Sequence, residues 1–277
     1  MKKHKVKRGD TLRRIALLYY NDPNKYIIIS EENKINNPNK IKVGQVLIIP
    51  EEITSSNKDK KGKKKYSGLT KYHRAFMGSI RWRLTKKGLE IEGSGIERSK
   101  GSPKTVTDIW NKYNKEINKW AKHFDVPCVL IIATIATESI GEATSRREEP
   151  GFISDTATPH RVSVGLMQTL ISTARSTLHN RKIDAKWLKK SSNSIKAGTS
   201  YIAEQSPVTD FDPPKVACAY NSGGVFQNSG KKNRWKMRQY QIGTSKHCDR
   251  FVKWFNDAVF VLERHPKSAK VKYNVLF

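Results

Sequence analysis

Apolar positions recur at helical spacing along much of the chain, and the breaks between runs mark turns. Leu12, Ile15, Ala16 and Tyr19 share one helix face, and Asp10 or Thr11 supplies the cap. Ahead of them, Val6-Lys7-Arg8-Gly9 reads as a short strand entering a turn. Asp22-Pro23-Asn24 is a second turn, Tyr26 to Asn33 suits a second helix, and Pro38 breaks it. Val43 to Pro50 then reads as a turn and a closing strand, which gives strand-helix-helix-strand over residues 5–50. Further on, Ser79–Leu84 and Leu89–Glu92 alternate around Lys87-Gly88, which predicts a β-hairpin. From Thr107 the period becomes helical again. Ile109, Trp110, Tyr113, Ile117, Trp120, Ala121 and Phe124 form one apolar face, and Pro127 starts the next helix. Helices follow around 170–180, 192–204 and 213–221. The last, about 246–263, carries Phe251, Trp254, Phe255, Ala258 and Val261. The predicted class is α+β overall: a small βααβ domain, then a mainly α-helical domain preceded by a short β-hairpin segment.

Charge sharpens these boundaries. Asn57-Lys58-Asp59-Lys60-Lys61-Gly62-Lys63-Lys64-Lys65 has no apolar anchor and is expected to be an extended, mobile linker. The expected division is residues 1–51, a linker at 52–69, a hairpin extension of open role at 70–104, and a large domain at 105–277. The 277 residues are 36% hydrophobic, enough for packed cores over most of the chain. A net charge of +28 favours an anionic polymer or surface as partner. No motif with interleaved aromatics accompanies that charge, and no nucleic acid is expected. Scattered lysines also fit a solvated surface.

Cys128, Cys218 and Cys248 form no CxxC pair, and two of them sit in apolar runs, so buried free thiols are expected. The histidines, His123, His160, His179 and His247 among them, are dispersed. Nothing has metal-ligand spacing, and neither metal nor cofactor is expected. The first ten residues lack an apolar stretch after their positive charges, so no secretory signal is expected. No run approaches the roughly 20 apolar residues of a membrane span.

The chemistry starts at Glu138. It closes the run Ile131-Ile132-Ala133-Thr134-Ile135-Ala136-Thr137-Glu138-Ser139. A carboxyl at the end of such a run loses water, which disfavours its charge and raises its pKa. A carboxyl that holds its proton near neutral pH can act as a general acid. Taken alone, Glu138 reads more simply as a helix ending at a solvated carboxylate. Two downstream segments change that: Ser163-Val164-Gly165-Leu166-Met167-Gln168-Thr169, and Ala217-Cys218-Ala219-Tyr220-Asn221-Ser222-Gly223-Gly224. The first has a Gly where backbone can approach a ligand and an amide that donates and accepts. The second sets a phenol and an amide before a turn.

In this order the segments resemble the soluble lytic transglycosylase family, with its goose-type lysozyme-like fold: Glu-Ser, then Gly-Leu-Met-Gln, then Ala-Tyr-Asn. Asn193 to Ile202 resembles the helix between the last two motifs. The resemblance covers about residues 107–260. It implies a peptidoglycan glycan strand as substrate, cut at the β-1,4 bond between N-acetylmuramic acid and N-acetylglucosamine. It implies Glu138 as acid and then base, closing a 1,6-anhydro product without water. It further implies Ser139 on the acetamido or peptide part, Gly165 backbone close to the glycan, Met167 and Gln168 lining the sugar sites, Tyr220 bonded to Glu138, and Asn221 supporting the cleft or binding sugar. A hydrolytic muramidase would need a second acid, for which Glu148, Glu149 and Asp155 are candidates. The stretch Arg146-Arg147-Glu148-Glu149-Pro150 reads first as an exposed loop with local ion pairs. Trp82 is expected to pack, with a role as a sugar platform as the alternative.

Residues 5–50 resemble a LysM module: Gly9-Asp10-Thr11-Leu12, Asn33 after the second helix, and Gly44-Gln45 through Leu47 and Ile49-Pro50. The resemblance implies binding to N-acetylglucosamine chains. Tyr26-Ile27-Ile28-Ile29 departs from the more usual Trp-containing start. With no leader expected, the chain is expected to reach the wall through a phage holin lesion or within a virion. Phage tail or baseplate proteins are then partners, and a structural role with secondary wall cutting is the rival reading.

Overall fold

The computed structural model describes residues 2–7, 10–20, 25–35, 41–50, 67–100 and 103–264. The turn at Asp22-Pro23-Asn24, the break at Pro38 and the basic segment 57–65 lie outside the described residues. The chain divides into two compact units, residues 1–58 and 59–277.

In the first unit, β1 (Lys2–Lys5) pairs antiparallel with β2 (Val46–Ile49), in the register Lys2 to Ile49. Between them run α1 (Leu12–Tyr20) and α2 (Tyr26–Glu32). β1 lies earlier than the apolar pattern suggested, on a run of lysines. Val6 only continues the ladder, its N–H meeting the Gln45 carbonyl at 2.8 Å. An edge strand can be built from polar side chains because its backbone alone makes the ladder. Thr11 caps α1, its Oγ1 accepting from the Arg14 N–H at 3.2 Å. Asp10 instead holds the preceding turn through the Lys7 N–H and His4 Nε2, both at 2.8 Å.

Val6, Leu12, Ile15, Ala16, Tyr26, Ile29, Leu47 and Ile49 form the small core. Asn33 closes it. Its Nδ2 donates to the Ile29 and Ile48 carbonyls, both at 2.7 Å, and its Oδ1 accepts from the Ile48 N–H at 2.8 Å. One side chain thereby joins the end of α2 to β2.

The second unit opens on a 3-10 turn at Ser67–Thr70. Leu69, within the span expected as linker, is buried in this unit's core. The expected hairpin forms from β3 (Trp82–Thr85) and β4 (Gly88–Ile91), with Trp82 opposite Ile91. Trp82 packs, as its first reading had it. It is fully buried, its Nε1 donates to Asp212 at 2.8 Å, and its ring meets Trp235 edge-on. The hairpin braces the helical domain. Asn256 accepts from the Leu89 N–H at 2.7 Å and donates to the Leu89 and Glu97 carbonyls.

α3 (Lys104–Phe124) buries the face its spacing predicts, and Pro127 precedes α4 (Cys128–Glu138), buried along its length up to Thr137. Next comes a three-stranded antiparallel sheet of β5 (Arg146–Glu148), β6 (Val162–Val164) and β7 (Thr169–Leu170). The sequence pattern led us to expect a loop here, because strands of two or three residues leave no readable alternation. The remaining helices are α5 (Ile171–Thr177), α6 (Ala185–Leu188), α7 (Ser191–Glu204), α8 (Ser206–Thr209), α9 (Pro213–Ser222) and α10 (Lys246–Leu262). α10 packs on both α4 and α9. All three cysteines are buried and free. Among the described residues no helix is long and apolar enough to cross a membrane.

Candidate active site

Glu138 ends α4, where ten buried residues precede it. Its side chain is only 19% exposed. Burial pushes its carboxyl up from 4.5 to about 7, against the pull of the Arg250 and Arg147 cations. No carboxylate is among the causes, and lost hydration outweighs the two positive charges. At neutral pH the group is divided between acid and base forms, which suits it to give a proton and take one back.

Ser139 turns inward. Its hydroxyl donates to the Leu166 carbonyl at 2.7 Å and accepts from the Gly141 N–H at 3.2 Å. It ties the end of α4 to the loop between β6 and β7.

That loop is held from several sides. Gly165 has φ +82°, and a Cβ there would lie 2.3 Å from the Leu188 carbonyl and 2.6 Å from Ser194 Oγ. The side that a Cβ would occupy is filled by α6 and α7. Met167 is fully buried, against Gly198 of α7, so its side chain does not line an open site. Gln168, at φ +44°, spends its amide on the loop. Its Oε1 accepts from Ser163 at 3.0 Å, and its Nε2 donates to the Ser145 and Gly165 carbonyls. Its carboxamide serves first to fix the turn.

Tyr220 also departs from its expected role. Its hydroxyl donates to the Met167 carbonyl at 2.8 Å and lies 3.0 Å from Thr169 Oγ1, with no hydrogen bond to Glu138. Burial holds the phenol well above its ordinary range, so it stays neutral. Asn221 accepts from the Tyr240 N–H at 2.6 Å. Its Nδ2 has no partner among the described residues and is free to donate.

The residues 4–50 match a family model described as LysM domain, and residues 115–246 match one described as Transglycosylase SLT domain. The chain joins a LysM domain to a transglycosylase SLT domain. Comparison with the curated proteins gave no match. The SLT match contains Glu138, the 165–168 loop, Tyr220 and Asn221, and the protein is accordingly a peptidoglycan-cleaving lytic transglycosylase with a lysozyme-like catalytic domain.

The acids between Glu138 and the SLT loop are engaged elsewhere. Glu148 and Asp155 both bind Arg146, at 2.8 and 2.9 Å, and Glu149 binds Arg147 at 3.0 Å. The local ion pairs read from the sequence are present, with Arg146, Arg147 and Glu148 on an exposed strand rather than a loop. Sequence reasoning missed His247, whose Nε2 lies 3.7 Å from Glu138 Oε1. A single histidine 109 residues downstream of the acid carries no readable signal. His247 also falls one residue beyond the SLT match.

Proposed function

We propose that the SLT domain cuts the β-1,4 bond between N-acetylmuramic acid and N-acetylglucosamine without water, leaving a 1,6-anhydro end. Glu138 protonates the bridging oxygen, the bond from the muramic C1 to that oxygen breaks, and the glucosamine part leaves with a free hydroxyl. The Glu138 carboxylate then takes the proton from the muramic C6 hydroxyl. O6 bonds to C1, and Glu138 ends the cycle protonated as it began. One carboxyl near neutral pKa serves both halves. The observation that carries this reading is the rise of Glu138 to about 7 with no second carboxylate acting on it. Glu148, Glu149 and Asp155, held by arginines, are poorly placed to activate water as inverting or retaining glycosidases do.

In the same reading the 165–168 loop forms a wall of the cleft, Asn221 Nδ2 donates to the sugar, and residues 1–51 hold the enzyme on the wall. Mass spectrometry of digested peptidoglycan tests it. Anhydro-muramic ends are expected. Reducing ends with one water added would establish a hydrolase instead.

A further inference from the structure

Among the described residues no hydrogen bond holds the Glu138 carboxyl, and the group that faces it is His247, 3.7 Å from Oε1. That distance is too long for a hydrogen bond. The pair is also no salt bridge. His247 is 6% exposed, and burial, with help from the Arg250 charge, lowers its pKa to about 4, so the ring is neutral wherever the enzyme is folded and working. A neutral imidazole has one N–H and one lone pair, and its partner at one nitrogen decides what the other presents. His247 sits in the first turn of α10 and meets the Ala217 backbone of α9 in an interaction that favours a proton on the ring. A carbonyl there can only accept.

We propose that His247 is a positioning residue for the acid: its Nδ1–H is spent on the Ala217 carbonyl, and its Nε2 turns a lone pair toward Glu138 Oε1. This rests on the reading of Glu138 as acid and base. A lone pair facing a carboxylate oxygen repels it, and it repels the less negative carbonyl oxygen of the neutral acid more weakly. His247 thereby favours the protonated form before the bond is cut. After proton donation it makes the bare carboxylate a stronger base toward the C6 hydroxyl. It also occupies the Oε1 side and leaves Oε2 for the substrate. The other charged or titratable groups acting at the site are Arg250 on α10, Arg147 on β5 and Tyr220 on α9. The two arginines favour the carboxylate, and the phenol stays neutral. His247 opposes the arginines from close range, where salt does not screen it.

The test uses the full chain. Nitrogen-15 NMR of the wild-type imidazole between pH 6 and 8 should show Nδ1 protonated and Nε2 bare. Carbon-13 NMR of the Glu138 carboxyl, assigned by its loss in Glu138→Gln, should titrate about one pH unit lower in His247→Phe, which keeps a buried ring without the lone pair. Both are read in high salt, to screen Arg147 and Arg250. The alkaline limb of kcat/KM should move with it. If the Phe variant does not fold, His247→Leu takes its place, and the tautomer reading needs no variant. An Nε2–H tautomer, a charged ring at neutral pH, or an unmoved Glu138 titration would overturn the proposal. Those results leave the acid itself intact if Glu138→Gln is inactive. Cutting by Glu138→Gln would instead sink the reading of Glu138.

Discussion

The Tyr220 hydroxyl donates to the Met167 carbonyl at 2.8 Å. With the Ser139 bond to Leu166, it makes α4 and α9 grip consecutive carbonyls of one loop. The residues nearest the acid in the motifs therefore spend their polar atoms on holding each other. These bonds frame one carboxyl that has no hydrogen bond among the described residues, an arrangement that suits the acid-base role proposed for it.

Tyr220→Phe removes that bond and the contact with Thr169. A loss of about 1 to 2 kcal/mol in unfolding free energy is expected, the scale of a buried hydrogen bond left half-made. The alkaline limb of the activity profile should stay where it is, because the phenol does not bond Glu138. A shifted limb would show that Tyr220 tunes the acid after all.

Glu138→Gln should lower cutting at least about a hundredfold, as expected for loss of a general acid and base. It should also change stability in a pH-dependent way. The folded acid titrates near 7 and the unfolded one near 4.5. Between those values the folded chain holds a proton the unfolded chain lacks, so this group's contribution falls as pH rises. Above pH 7 the full penalty stands, at most roughly 3 kcal/mol. The Gln variant should therefore melt higher than wild type at pH 8 and level with it at pH 4. His247 contributes oppositely in both proteins, costing stability as pH falls from 6.5 toward 4. Equal melting points at pH 8 would mean that Glu138 is not desolvated.

Gly165→Ala forces a methyl group against the Leu188 carbonyl at a positive φ. A loss of more than about 2 kcal/mol is expected, from strain and displaced backbone together. The midpoint of denaturant unfolding reads it directly. An Ala variant as stable as wild type would show that α6 gives way easily.

Asn33→Asp removes both donors to the Ile29 and Ile48 carbonyls and sets a negative charge beside them. The LysM unit should lose its fold and the enzyme its adsorption to insoluble wall. Cutting of soluble glycan fragments should persist. Parallel loss of both would mean that the first unit helps build the catalytic site.

What could be read beforehand follows the length of each signal. α3 repeats its apolar period over 21 residues, and Asn33, Glu138 and the Gly-Leu-Met-Gln loop sit at recognisable places in ordered motifs. Partners were harder to read than positions. Tyr220 was expected on Glu138 and lies on Met167, because a motif gives a residue type and not the direction of its hydroxyl. Met167 was expected to line a sugar site, and its side chain instead packs against α7. β5 to β7 escaped notice because their strands are too short to alternate. His247 required the packing of α10 on α4, a long-range contact that no local pattern encodes.

The bonds from Asn256 to Leu89 and from Trp82 to Asp212 reach back from the helical domain to a hairpin outside the SLT match. α10, which carries Asn256, also carries His247 nine residues earlier, within two and a half turns. A fragment begun at residue 105 would strip Trp82 and His73 from the fully buried Asp212 and leave Asn256, on the helix that faces Glu138, without its bonds to Leu89 and Glu97. The portable unit for grafting this activity onto another wall-binding module is therefore larger than the stretch that identifies it, and it starts before the hairpin.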